Sequence, residues 1–157
     1  MLSMILSSVL FYACKKDIKE AASVQSQING IKGNWEVVKA VMNDTTATTP
    51  DPVDVTDFFQ ASTKMPNINF NVSDNTYTSD VNGVAYDFFG TSGKWAFDDV
   101  QYPTNITFTP QGGTPFTMGM MAPIRIVDTR LKVQKYMYCD SAKTNFKFAY
   151  QIELERR

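Results

Sequence analysis

The sequence contains no histidine. That absence alone removes histidine-dependent nucleophile triads, imidazole metal sites and the side chain that titrates near neutral pH. Cysteine is nearly absent as well: Cys14 and Cys139 are the two in 157 residues, too few for the disulfide framework of a small secreted domain. No charge of one sign dominates, with 15 basic against 16 acidic residues. No basic stripe is visible, so nucleic acid is not an expected partner. No lysine or arginine precedes Lys15. No apolar run reaches the roughly 20 residues that a membrane-spanning helix needs, and no internal repeat is evident.

What is present is an apolar, aromatic chain. Hydrophobic residues make up 43% and aromatics 13%, too much for a disordered polymer. The length suits one domain with a short extension. Without histidine, an enzyme would have to work through carboxylates or Cys139. Asp98 and Asp99 are neighbours in a predicted strand, so they point to opposite faces and cannot act as an acid/base pair. Asp51, Asp54 and Asp57 lack the ligand spacing of a calcium loop. Cys139 has Lys135 and Lys143 four positions to either side, which is no specific activating pattern, and it reads as a buried thiol. The expectation is a protein that is not an enzyme, with no cofactor and no metal.

Residues 1–13 form an apolar run that includes Leu2, Ile5, Leu6, Val9, Leu10 and Phe11. As a helix at about 1.5 Å per residue it would cover roughly 20 Å, short of the ~30 Å hydrocarbon core but right for a signal peptide. It ends at Phe11-Tyr12-Ala13-Cys14, followed by Lys15-Lys16-Asp17. This junction resembles the lipobox of bacterial lipoproteins, and in this form it is most similar to lipoproteins of the Bacteroidetes. The uncharged start departs from the usual signal-peptide pattern. The resemblance implies cleavage before Cys14, lipid on Cys14 and an outer-membrane lipoprotein of the cell envelope, since two or three acyl chains anchor stably. Surface export in that group goes with acidic residues after the cysteine; here one acid, Asp17, follows two lysines, which leaves the periplasmic and surface faces both open. Lipid on Cys14 would leave Cys139 without a partner in the mature chain. Residues 14–31, polar and poor in aromatics, read as a tether with at most a helical turn or two.

From residue 32 the pattern has period two, the mark of half-buried strands. Trp35, Val37 and Val41 mark the first. After a Thr-, Asp- and Pro-rich loop, 54–59 reads as a short helix capped by Asp54. Ile68, Phe70 and Val72 follow, then Tyr77, Ser79 and Val81. Asn82-Gly83 is the strongest hairpin signal, because a type I′ turn needs φ > 0 at both central residues; Val84, Tyr86 and Phe88 should return from it. Trp95 and Phe97, Ile106 and Phe108, then Phe116, Met118 and Met120 come next. Ile124 and Ile126 precede a turn at Asp128-Thr129, and Leu131 and Val133 follow. That strand continues through Met137 and Cys139 or through Tyr136 and Tyr138. Phe146, Phe148, Tyr150, Ile152 and Leu154 close the series. Eight to ten short strands and no long helix predict an all-β domain that hides its edges by closing into a barrel or, less completely, a sandwich.

Gly33-x-Trp35 resembles the Gly-x-Trp of lipocalins and their calycin relatives, and Gly93-Lys94-Trp95 repeats it mid-chain. The run Ile124-x-Ile126-Val127-Asp128-Thr129-x-Leu131-x-Val133 is similar to one in lipocalin-like lipoproteins of the Bacteroidetes, a group with no assigned function. The resemblance spans about residues 31–157. It implies a single antiparallel barrel of about eight strands over residues 32–157, closed at one end by Trp35, with an arginine over that indole, either Arg156 or Arg157. A barrel of this size holds one small ligand or fills its own interior. The expected lining is Tyr77, Tyr86, Phe88, Trp95, Phe97, Met118 and Met120, and the expected ligand is small and apolar. The alternative is a structural component of an envelope assembly that contacts a protein or glycan partner. Asp140-Ser141-Ala142 also resembles an O-glycosylation motif of the Bacteroidetes.

Overall fold

The structure, a computed structural model, describes residues 24–49, 51–60, 64–83, 87–138 and 146–157. A helix, α1 (Val24–Ile31), leads into β1 (Gly33–Asp44). Next come the two-residue strand β2 (Val53–Asp54) and a 3₁₀ turn (Thr56–Phe59). The chain continues with β3 (Asn67–Asn71), β4 (Thr76–Asp80), β5 (Ser92–Phe97), β6 (Asn105–Pro110), β7 (Phe116–Met120), β8 (Arg130–Tyr138) and β9 (Phe146–Arg156). From β3 to β9 each strand pairs antiparallel with the next, β3 also pairs with β1, and β9 returns to β1. Eight strands thus close into a barrel, and β2 lies beside the far half of β1 as a ninth. The closing seam is long, from Trp35↔Arg156 to Asp44↔Phe148. It makes the domain a barrel rather than a sandwich, because no barrel strand is left with a free edge along that seam.

Alternation puts Ile68, Phe70, Tyr77, Trp95, Ile106, Phe108, Met118, Leu131, Val133, Ile152 and Leu154 inside, all buried. Strand β1 breaks the rule once. The register steps from Val37↔Leu154 to Lys39↔Glu153, so Val38 is an extra residue in a β-bulge. The inward set therefore changes phase, from Trp35 and Val37 to Ala40 and Met42. Val41, expected inside, sits on the other face opposite Asp54.

Three further expectations change. The segment 54–59 is not an α-helix capped by Asp54. Asp54 belongs to β2, and its Oδ1 accepts the Thr56 N–H (3.0 Å) and hydroxyl (2.5 Å), a local turn that starts the 3₁₀ segment. Asn82 and Gly83 do take positive φ, 52° and 91°. Val84 and Tyr86 lie outside the described residues; among those described, 87–90 are not a strand, and the pairing of β4 with β5 runs from Thr78↔Ser92 to Thr76↔Lys94. Finally, Ile124–Ile126 is a loop. Asp128 Oδ2 accepts the Arg125 N–H (2.8 Å), its carboxylate pairs with the Arg125 guanidinium (2.9 Å), and the Asp128 N–H returns to the Arg125 carbonyl (3.0 Å). This closed turn buries Ile124 and leaves Ile126 and Val127 exposed.

The last eight residues of the expected tether are helical. Gln27 and Ile31 of α1 are buried, and Gly30 lies so close to the Ile124 carbonyl that a Cβ there would sit 2.7 Å away. The helix thus packs across the end of the barrel where β1 begins and β9 finishes. Among the described residues, no helix is long and apolar enough to cross a membrane.

Candidate functional site

The two ends of the barrel are built differently. At the end covered by α1, Trp35 is completely buried and its Nε1–H donates to the Ile31 carbonyl at 2.7 Å. The Arg156 guanidinium lies over the indole, 4.6 Å from the ring centroid, and donates to the carbonyls of Gly30 and Lys32. Arg156 is thus the arginine at the indole. Arg157 points outward to Glu36, with Nε 2.7 Å from the carboxylate. Trp95 also bonds main chain at this end, its Nε1–H shared between the carbonyls of Thr76 (3.1 Å) and Asn71 (3.3 Å). Nearby, Asp98 lies just past β5 rather than within it. Its carboxylate accepts from the N–H groups of Thr104 and Asn105 and from their side chains, at 2.6–3.0 Å. These bonds favour the ionised form and hold its carboxyl far below the ordinary carboxylate range.

Between the ends runs a column of rings. Phe97 meets Trp95 (5.2 Å), Trp95 meets Phe70 (5.7 Å), and Phe70 meets Phe108 (6.1 Å). Phe108 is the hub, in contact also with Tyr77, Phe89 and Phe116 at 5.2–5.7 Å. Edge-to-face and offset pairs of this kind each add about 0.5–1.5 kcal/mol beyond area burial. The expected lining residues are therefore spread along the barrel. Trp95, Phe97 and Met120 lie toward the Trp35 end and Met118 is deep in the core, while Tyr77 reaches toward the opposite mouth, where Phe88 sits. Met118 is fully buried, and Phe97 and Met120 are half-buried against the core. Tyr86, Cys14, Cys139 and Ser141 lie outside the described residues.

The opposite end is stoppered by side chains from its connections. Phe59, from the 3₁₀ turn, packs against Phe88 with ring centroids 4.4 Å apart and the rings tilted by 43°, and Tyr150 of β9 closes against both at 6.0–6.3 Å. The segment 87–90 is held over the mouth by polar contacts. Asp87 Oδ1 accepts the N–H groups of Phe89 and Gly90, both at 2.9 Å. Two inward-facing barrel residues donate to its carbonyls: Tyr77 Oη to Phe89 at 2.6 Å and Lys135 Nζ to Phe88 at 2.8 Å. Burial, with the Asp87 charge second, pushes the Tyr77 phenol up to about 12. Burial also pushes the Lys135 ammonium down, partly offset by Asp87.

Lys135 is the residue that sequence reasoning missed. Parity was the available signal: on β8 the alternation from Leu131 and Val133 lands on Lys135 and Met137, and the register with β9 sets Lys135 opposite Tyr150. The outward Tyr136 and Tyr138 are exposed. Among the described residues, β7 and β8 pair only at Gly119↔Gln134 and Met120↔Val133. Toward the mouth a cleft of about 440 Å³ lies between them, lined by residues 115–117 and 135–138. No protein-family model, no curated protein and no solved structure matches the chain.

Proposed function

We propose that the chain is a lipocalin-like lipoprotein of the Bacteroidetes type, anchored in the cell envelope by lipid on Cys14, whose barrel takes a small apolar ligand at the mouth stoppered by Phe59 and Phe88. The contrast between the ends carries this reading. One end is locked by an indole and an arginine bonded to main-chain carbonyls. The other is filled by rings from loops and held by side-chain donors that an incoming molecule can compete for. Helix α1 enters at the locked end, and Cys14 lies ten positions ahead of Val24. A lipid there would place the locked end on the membrane side and leave the stoppered mouth facing away.

Two measurements test the proposal. Labelled palmitate should incorporate into the full chain in a bacterial host, and Cys14→Ser should abolish that; equal labelling of the variant would overturn the anchor. Native mass spectrometry of the purified chain should show added mass from a small apolar compound that organic extraction removes. A mass equal to the polypeptide and its lipid alone, together with no uptake of added apolar probes, would overturn the ligand. The second reading, contact with an envelope protein or glycan, draws on Phe58 and Val127, which are 80% and 78% exposed. A stable oligomer in the same spectra would favour it.

A further inference from the structure

We infer that a second binding site lies at the locked end, in the cavity between α1 and the segment 121–132, and that it takes a neutral molecule with an apolar body and one hydrogen-bond donor such as a hydroxyl. The cavity measures about 680 Å³, within the roughly 300–1,000 Å³ of small-molecule sites. It is separate from the stoppered mouth and does not depend on a ligand there.

The packing of α1 frames this cavity. Gly30 brings the helix backbone against the Ile124 carbonyl, with no room for a Cβ between them. Gln27, one turn earlier, lines the space beside that contact. Met121, Pro123, Ile124 and Leu131 supply apolar walls, the last two of them buried. Gln27 is the exception among them. It stands four positions before Ile31 on the inward stripe of α1 and is only 8% exposed, yet its Oε1 accepts no hydrogen bond among the described residues. A buried acceptor without a donor costs the fold stability, and methionine or leucine would fill the same place without that cost. A donor carried by a ligand is what such a group lacks. The last torsion of a glutamine is broad and roughly two-fold, so the amide can turn its oxygen to a donor in the cavity. A few polar groups set in apolar walls are the usual means of orienting a small ligand.

Charge narrows the ligand class. The charged side chains that line the cavity are all engaged in ion pairs: Arg125 with Asp128 at 2.9 Å, and Arg130 and Lys132 with Glu153 at 2.7 and 3.1 Å. An anion would have to compete with those carboxylates and would be repelled by them. The unmet group is a neutral acceptor, and it calls for a donor rather than a charge.

The test follows the backbone amide signals of the isotopically labelled full chain by NMR near neutral pH. The chain is titrated with 1-octanol and with its isomer heptyl methyl ether, which has the same atoms but no donor. In wild type, octanol should shift signals of α1 and of 121–132 and bind about fivefold tighter than the ether or more. Gln27→Met should erase that preference by weakening octanol alone, and octanoate should bind wild type no tighter than octanol does. Should Gln27→Met fail to fold, Gln27→Leu decides in its place; failure of both would show that the fold itself holds the amide and would overturn the site. Octanol and ether bound equally by wild type, a preference that survives loss of the amide, or octanoate bound tighter than octanol would overturn the assignment. So would the absence of any shift at α1 and 121–132, and shifts confined to 87–90 would do so while leaving the ligand at the mouth in place.

Discussion

Replacing Arg156 by methionine keeps an apolar stem against Trp35 and removes the charge above it. The cation–π contact at 4.6 Å contributes about 1 kcal/mol at a buried ring. The hydrogen bond to the Gly30 carbonyl adds on the order of 1.5 kcal/mol, and the longer one to Lys32, at 3.3 Å, about 0.5 kcal/mol. Against these, Arg156 Nε is buried with no hydrogen-bond partner, a penalty on the order of 1 kcal/mol. The net loss on substitution is therefore about 2 kcal/mol, and at roughly 3–5 °C per kcal/mol for a domain of this size Tm should fall by about 8 °C. The neighbouring Arg157 supplies the comparison. Its pair with Glu36 is half-exposed on both sides, so Arg157→Met should cost less than about 1 kcal/mol. Urea unfolding followed by far-ultraviolet circular dichroism measures both. Equal losses for the two variants, within about 0.5 kcal/mol, would refute the assignment of Arg156 to the lock. A double-mutant cycle with Trp35→Phe adds a finer check: a coupling of about 0.5–1 kcal/mol is expected, and strict additivity would mean the guanidinium does not act through the ring.

Other outcomes follow from close approaches and from charge. A Cβ on Gly93 would sit 2.2 Å from the Thr109 carbonyl oxygen and 2.8 Å from the Pro110 Cα, whereas one on Gly119 meets nothing nearer than 3.8 Å. Gly93→Ala should therefore destabilise by about 2 kcal/mol or more, and Gly119→Ala should stay within about 0.5 kcal/mol or stabilise slightly; the reverse order in urea midpoints would contradict the packing. Asp98 titrates below its ordinary value of 3.8 in the folded chain. Below that value the unfolded chain binds the proton more readily, so the stability Asp98 contributes is full above about pH 4 and is lost as pH falls further. Asp98→Asn should make the acid limb of a stability–pH curve shallower, with Asp54, Asp128 and Glu153, also lowered, leaving a residual slope; an unchanged slope would remove Asp98 from the account.

Much of the barrel is legible in the residues. Ile68 and Phe70, Trp95 and Phe97, Ile106 and Phe108, and Ile152 and Leu154 all alternate as their strands require, because the side-chain period of a strand is a local property. The errors fall where one residue shifts that period or a partner replaces it. Val38 bulges and moves Ala40 and Met42 inward. The Arg125–Asp128 turn holds Ile124 in a loop. The φ values of Asn82 and Gly83 match a hairpin, while Phe88 further on serves as a stopper, its segment held by Tyr77 of the preceding strand and by Lys135 of β8 across the barrel.

Composition and local pattern by themselves determined that this is an all-β chain, without histidine chemistry, with an indole placed at the start of its first strand. Those are properties of residue type and of neighbours along the chain. Only the tertiary structure decided that β9 closes on β1, that Arg156 rather than Arg157 covers Trp35, and that a lysine stands at an inward position beside the stoppered mouth. Each depends on residues far apart in sequence, as far as Trp35 and Arg156 across the closing seam, and on a register that a single bulged residue can change. Periodicity shows that a strand has two faces; the partners across the barrel determine which face lies inside.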